Sequence, residues 1–324
     1  MTRTIAITAT NGRLGRAVAQ ELLRRHLTDI NLRFTARDPK KLEGLKGQIL
    51  CADYDKPTTL KVAFTGVDTL LLISSMGTNE ERIRHHRAAI DAARATGVKR
   101  IVYTSFVNPV TTSRFIWAWP HADTEVYLKA SGIPYTILRD NQYCANLDPL
   151  LNQAKETGVL TMPGLHGKVA YISHEDVAAA AVETLLGKGH ENRIYELTGP
   201  VAVDGLQIAG ALSKAVGKEI KAVEASLESF RAFFRASGMP EYAVEGLSSL
   251  YEAAGAGEYR MVSKDAEALI GRPTTSVLEF VAKTMSHQWM APTIKATKTS
   301  RPRKIALPGS HAPGQRHTPR GGRP

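Results

Sequence analysis

Apolar residues cluster in short runs through the first half of the chain, and the intervals between runs carry helical spacing. Residues 4–9, TIAITA, make an apolar run of strand length. Leu14, Val18, Leu22 and Leu23 then recur on one stripe, which predicts a helix over 12–26. Further strands are predicted at 31–36, 46–52, 68–73, 100–104 and 135–139. Helices are predicted at 80–96, ended by Gly97, and at 121–131, ended by Gly132. Strands alternating with helices imply right-handed crossovers and a doubly wound parallel sheet, an α/β fold of Rossmann type.

Past residue 150 the alternation loosens. Ser173, with Asp176 three residues on, reads as a helix start. Later helices are predicted at 204–216, 227–237, 240–254, 263–270 and 276–285. The expected organisation is a dinucleotide domain over 1–150, with returning segments from 151–200, and a smaller, mainly helical lobe over 151–291. A basic tail, 292–324, completes it.

Charge changes this picture only locally. The net charge is +11, but eight of those charges are Lys or Arg in 293–324, a segment with no acid. That leaves +3 for the first 292 residues, a nearly balanced body. The tail is rich in Pro, Gly and His and has no hydrophobic period, so it reads as disordered and solvated, without specific nucleic-acid binding. No apolar run reaches the roughly 18–20 residues of a membrane span. The first residues read as a strand and not as a secretory signal. Two cysteines, Cys51 and Cys144, are too few for a disulfide scaffold or a cysteine zinc site and suit a reducing cytoplasm.

The segment Ala9-Thr10-Asn11-Gly12-Arg13-Leu14-Gly15 follows the first strand and opens the first helix. It fits the dinucleotide fingerprint with Ala9 in place of the first glycine. Gly12 lets the backbone approach a pyrophosphate, Gly15 lets helix and strand pack closely, and the helix N-terminus offers free N–H groups. An NAD site usually places an acid at the end of the second strand, for the ribose 2′-hydroxyl. Here Arg37 stands there, with Lys40 and Lys41 close behind. A guanidinium matches a 2′-phosphate, so NADP(H) is the predicted cofactor. Asp38 is expected to point away or cap the next helix. Asp53 ends the third strand, where it can meet the adenine edge or cap a helix. Ser74, Ser75 and Met76 end the fourth, beside the nicotinamide ribose.

The runs Leu70–Ser75, His86-Arg87, Gly97–Ser105, Thr124-Glu125, Ser131–Arg139 and Tyr143 together resemble the atypical short-chain dehydrogenases of NmrA-like type. Within these they resemble the NAD(P)H:quinone oxidoreductase type 2 branch and also the triphenylmethane reductases. The resemblance runs from residue 4 to about 286. It implies a flavin-free reductase that passes hydride from NADPH to quinones or related conjugated acceptors. It also implies a non-catalytic alternative, a redox sensor that reports the dinucleotide's state to a protein partner. By resemblance the phosphate loop is Ala9–Leu14, and Asn141, Gln142, Tyr143 and the stretch to Asn146 close over the nicotinamide and line the acceptor pocket. Asp140 stands where the family has Asn. His174 stands where the family can carry an Arg that reaches the cofactor. A homodimer is admitted.

Ordinary short-chain dehydrogenases use a Tyr-x-x-x-Lys pair as proton donor, and none of the ten tyrosines has Lys four residues on. Quinone reduction tolerates that loss, because the acceptor is electron-poor and proximity and orientation do most of the work. His121 and Tyr143 are the candidate proton donors, with Asn146 beside them. For His121, a structural role near the helix start is the favoured alternative. The loop 106–120, with Phe115, Trp117 and Trp119, either stacks a planar acceptor or packs in the core.

Overall fold

A computed structural model describes residues 2–286. The predicted tail 292–324, and residues 287–291 of the predicted lobe, lie outside the described residues.

The strands are β1 (Arg3–Ile7), β2 (Ile30–Ala36), β3 (Gln48–Cys51), β4 (Thr69–Leu72), β5 (Arg100–Phe106), β6 (Tyr135–Asp140), β7 (Val159–Met162), β8 (Arg193–Leu197) and β9 (Lys221–Glu224). The helices are α1 (Arg13–Arg24), α2 (Pro57–Phe64), α3 (Asn79–Ala95), α4 (Ala118–Ala130), α5 (Asp148–Thr157), α6 (His174–Leu186), α7 (Gly205–Val216), α8 (Leu227–Ala236), α9 (Glu241–Gly255), α10 (Asp265–Ile270) and α11 (Val277–Ser286). Seven strands form one parallel sheet in the order β3-β2-β1-β4-β5-β6-β8. The order reverses between β1 and β4, and such a switch point leaves a crevice at the C-terminal ends of the strands.

The sheet forms because its strands are buried on both faces, as crossover helices require. One face carries Ile5, Ile7, Leu71 and Val102 against Leu14, Val18 and Leu22 of α1 and Val177 and Ala181 of α6. The other carries Leu70, Leu72, Ile101 and Ile137 against Leu60, Ala89, Ile90 and Leu128 of α2, α3 and α4. Each fully buried Leu, Ile or Val contributes about 1.5–3 kcal/mol. A third cluster joins Phe115, Trp117 and Leu147 to Phe230, Val244, Tyr251 and Val281 of the later helices.

The six predicted strands and the long helices are present, with three corrections. The first strand stops at Ile7, because Ala9 turns into the left-handed region at φ 47° and accepts a hydrogen bond from the Gly12 amide. The helices α2 and α5 were not foreseen. Each begins at or beside a proline, Pro57 and Pro149, in a stretch whose apolar spacing is short. The second half also holds strands: β8 returns to the edge of the main sheet, and β7 pairs with β9 in a separate parallel pair. These strands are four or five residues long, below the length at which alternation is read reliably.

Candidate functional site

The crest of the sheet begins with the turn from β1 into α1. Gly12 is the N-cap residue, its side of the turn carries no capping side chain, and no acid stands in the first turn. The N-terminal amides of α1 are therefore left to a ligand, as the first N–H groups of a helix have no partner within it. Gly15 must be glycine: a Cβ there would stand 2.5 Å from the Ala9 carbonyl oxygen and 2.6 Å from the Thr10 Cα. Thr10 is buried and locks the turn, its hydroxyl donating to the Ile7 carbonyl at 2.9 Å. Asn11 and Arg13 are exposed. Arg13 reaches across to Asp148, at the start of α5, at 3.0 Å.

Arg37 follows β2 and is exposed, and among the described residues no carboxylate pairs with it. Asp38 is the N-cap of the short 3-10 turn Pro39–Leu42, where its carboxylate accepts from the Lys40 amide at 3.2 Å. Among the described residues it forms no ion pair with Arg37. Asp53 is half-buried and occupied locally, accepting from the Asp55 amide at 3.2 Å, with the Lys56 ammonium at 3.7 Å.

On the far side of the switch point, the end of β4 meets α3 and α4. Ser74 is held by its amide, which donates to Thr104 at 3.0 Å. The Ser75 amide donates to Nε2 of His86 at 2.9 Å, which puts the ring proton of His86 on Nδ1, 2.8 Å from the Thr124 hydroxyl. Met76 is 61% exposed on the rim. His121 is buried with both nitrogens engaged: Arg82 donates to its Nε2 at 2.9 Å, so its Nδ1 proton goes to the Tyr103 oxygen at 2.8 Å. Burial, and then the charge of Arg82, hold both His86 and His121 well below the ordinary histidine range. A neutral His121 that accepts from Arg82 has no free proton for an acceptor. The structure gives it the role of holding Arg82.

Beyond β6, the buried Asp140 carboxyl accepts from the Tyr143 hydroxyl at 2.6 Å, and its second oxygen has no partner. Burial pushes its pKa up to about 8. Asn141 donates to the Tyr259 carbonyl at 3.1 Å, and Gln142 is buried with both amide atoms unpartnered. Tyr143 stacks on His174 at 4.2 Å, and burial lowers the His174 pKa to about 4. Asn146 is half-buried in the turn before α5.

The aromatic loop divides. Phe115 and Trp117 are buried, with Phe115 packed on Phe106 at 4.8 Å and Trp117 under Gly246 of α9, while Trp119 is 43% exposed. A cavity of about 490 Å³ opens beside the ends of β5, β6 and β8, lined by Val107, Arg139, Asn141, Glu196, Tyr259 and Met261. A second cavity, about 480 Å³, lies at the opposite edge of β1–β3, away from the crest.

A model of the NmrA-like family matches residues 1–281. The chain belongs to the NmrA-like family. Among its relatives, quinone oxidoreductase 2 of Escherichia coli is 36% identical over 281 residues, covering 86% of this chain and 97% of that protein. The NAD(P)H azoreductase of Xenophilus azovorans is 30% identical over 266 residues, 79% of this chain and 91% of that one. The structure of the Escherichia coli NADPH-dependent quinone oxidoreductase with NADPH superposes with a TM-score of 0.80 at 35% identity, covering 86% and 99% of the two chains. That of the Citrobacter triphenylmethane reductase with NADP(H) gives 0.80 at 30% identity, over 87% and 99%. The NmrA-like regulator Nmra shares the fold, with a TM-score of 0.68 at 15% identity.

Sequence reasoning missed Arg82 and the polar cluster around it in this NmrA-like chain. The available signal was spacing. Arg82 lies one helical turn before His86, so the two share a face of α3. Nothing local says that this face meets His121 and Tyr103.

Proposed function

We propose that this chain is an oxidoreductase that passes a hydride from NADPH to a quinone or a similar conjugated acceptor without a flavin. The observation that carries the reading is the pairing of two features on one crest. The uncapped phosphate turn runs on to Arg37, which has no carboxylate partner among the described residues, and across the switch point stand Ser74 and a buried polar cluster of Arg82, Tyr103 and His121. The residues fit the cofactor. Ala9–Gly15 take the pyrophosphate, Arg37 takes the 2′-phosphate, and Asp53 borders the adenine. Ser74–Met76 face the nicotinamide ribose, while Asn141–Tyr143 and His174 cover the ring. Gln142, buried with a free amide donor and acceptor, suits a carboxamide. Bound NADPH supplies the hydride. The chain's residues orient it and exclude water.

Asn146 and the helical lobe bound the acceptor side. Relatives at 36% and 30% identity bear the names of a quinone oxidoreductase and an azoreductase, which supports reduction of conjugated acceptors over a purely regulatory role. No helix among the described residues is long and apolar enough to cross a membrane. A cytoplasmic location and a homodimer belong to the same reading, and light scattering after gel filtration tests the dimer.

The test is NADPH oxidation followed by absorbance with a panel of quinones. Turnover with several members is the expected outcome. Clear NADPH binding without turnover would falsify the enzyme reading and favour the sensor.

A further inference from the structure

Arg82 is the one feature of the crest whose chemistry the proposed cofactor does not absorb. It sits in the first turn of α3 and is 3% exposed. One of its terminal nitrogens donates to Ser74 Oγ at 3.0 Å and to His121 Nε2 at 2.9 Å. Its Nε is buried without a partner. The guanidinium lies 5.0 Å from the Trp117 ring centre, a cation–π contact. Among the described residues no carboxylate pairs with it, whereas the other buried arginine of the fold, Arg100, has Glu191 at 3.7 Å. Every partner of Arg82 is neutral.

A buried charge without a counter-ion costs several kcal/mol, and a fold that keeps one gains nothing from it in stability. Such groups mark sites where the opposite charge arrives with a ligand or develops during reaction. The neighbours here are arranged to hold the charge. His121 is kept neutral with its lone pair on Arg82, and Trp117, pinned under Gly246, covers the guanidinium. The bond to Ser74 ties it to the half-exposed end of β4, beside the switch point.

We infer that Arg82 is a catalytic residue whose guanidinium stabilises the oxygen anion formed when the acceptor is reduced, with His121 and Trp117 as its positioning residues. The inference rests on the quinone-reductase reading for the identity of that anion. A quinone that accepts a hydride takes up two electrons and one proton and becomes a hydroquinone monoanion. One further proton from solvent gives the neutral hydroquinone, and the oxidised cofactor leaves as NADP+. The charge that Arg82 meets is on the phenolate oxygen of that monoanion.

The test uses the full chain with saturating NADP+ and 2-hydroxy-1,4-naphthoquinone, which is an anion at neutral pH, with binding followed by calorimetry. The neutral 1,4-naphthoquinone is its control. Arg82→Gln should weaken the anion by about tenfold or more, the value of one charge-assisted hydrogen bond, and the neutral quinone by less than about threefold. Arg82→Lys should retain part of the anion's affinity. NADPH affinity should move by less than about threefold in both, and the melting temperature of Arg82→Gln should equal or exceed that of the parent, since an uncompensated charge has gone. Equal losses for anion and neutral quinone, or a matching loss for NADPH, would overturn the inference. If Arg82→Gln does not fold, Arg82→Lys and His121→Asn carry the same comparison. The binding arm does not need turnover. A parent protein that binds the anion through Arg82 but reduces no quinone refutes the proposed function and keeps the anion site. A parent that reduces quinones with no Arg82-dependent anion binding does the reverse.

Discussion

The two sides of the switch point hold positive charge in different ways. On the β1–β2 side it comes from backbone amides at the start of α1 and from Arg37, which is exposed to water. On the β4–β5 side it comes from Arg82, taken out of water among neutral partners. The first arrangement is cheap, because solvent serves the amides and the guanidinium until a ligand comes. The second is costly at all times, because the low dielectric that would strengthen an interaction with an anion also leaves the cation unsolvated. An open phosphate site suits a ligand that arrives already charged. A buried cation suits a charge that exists only during reaction, when a preorganised site has most effect.

The strongest way to break the first side is Gly15→Ala. Its Cβ would meet backbone, not a flexible side chain, so α1 must shift. We expect a loss of about 1–3 kcal/mol in thermal or denaturant unfolding and a collapse of NADPH binding in a fluorescence titration. Unchanged binding would show that the close approach of α1 to the turn is not what shapes the phosphate site.

Next comes Arg37→Ala, which should weaken NADPH by about tenfold or more and NADH by much less. Equal effects on the two would remove the 2′-phosphate from the argument.

A third effect comes from pH. The Asp140 carboxyl titrates at about 8 in the fold, far above its range in an unfolded chain. The folded state therefore binds the extra proton between those values, and stability falls as pH rises through that window. His86 and His121 act in the opposite sense. They are held below their unfolded range, so stability falls as acid protonates the unfolded chain. Asp140→Asn should remove the alkaline slope. Its melting temperature should exceed the parent's by roughly 3 °C or more at pH above about 8, with the gap closing towards pH 5. Parallel curves would show that Asp140 is ionised throughout.

The smallest effect sharpens the comparison. Ala9 sits at φ 47°, where an L-residue carries a cost of about 1–2 kcal/mol that glycine avoids. Ala9→Gly should raise stability by less than that, because glycine also loses more entropy on folding. Its NADPH affinity should stay within about threefold of the parent. A drop in stability would show that the Ala9 methyl, which packs against the α1 face of the sheet, outweighs the strain.

The β1–β2 side was readable because each of its parts is local. A strand, a glycine-spaced turn, a helix stripe and a cation at the end of the next strand all lie within residues 3–41. Their physics is that of neighbouring backbone, so the alternation and the NADP-type charge could be read from residue order. The absence of a Tyr-x-x-x-Lys pair was legible for the same reason. The Arg82 cluster was not. It draws one residue from α3, one from α4, one from β5 and one from the end of β4, and its meaning lies in what is missing around Arg82 once these meet. In the sequence, His121 stood between a proton donor and a structural residue, and Arg82 was not singled out. Packing brought the two side chains together. Burial holds the histidine well below its ordinary range and lowers the arginine only to about 10, and only the tertiary structure decides which groups lose water.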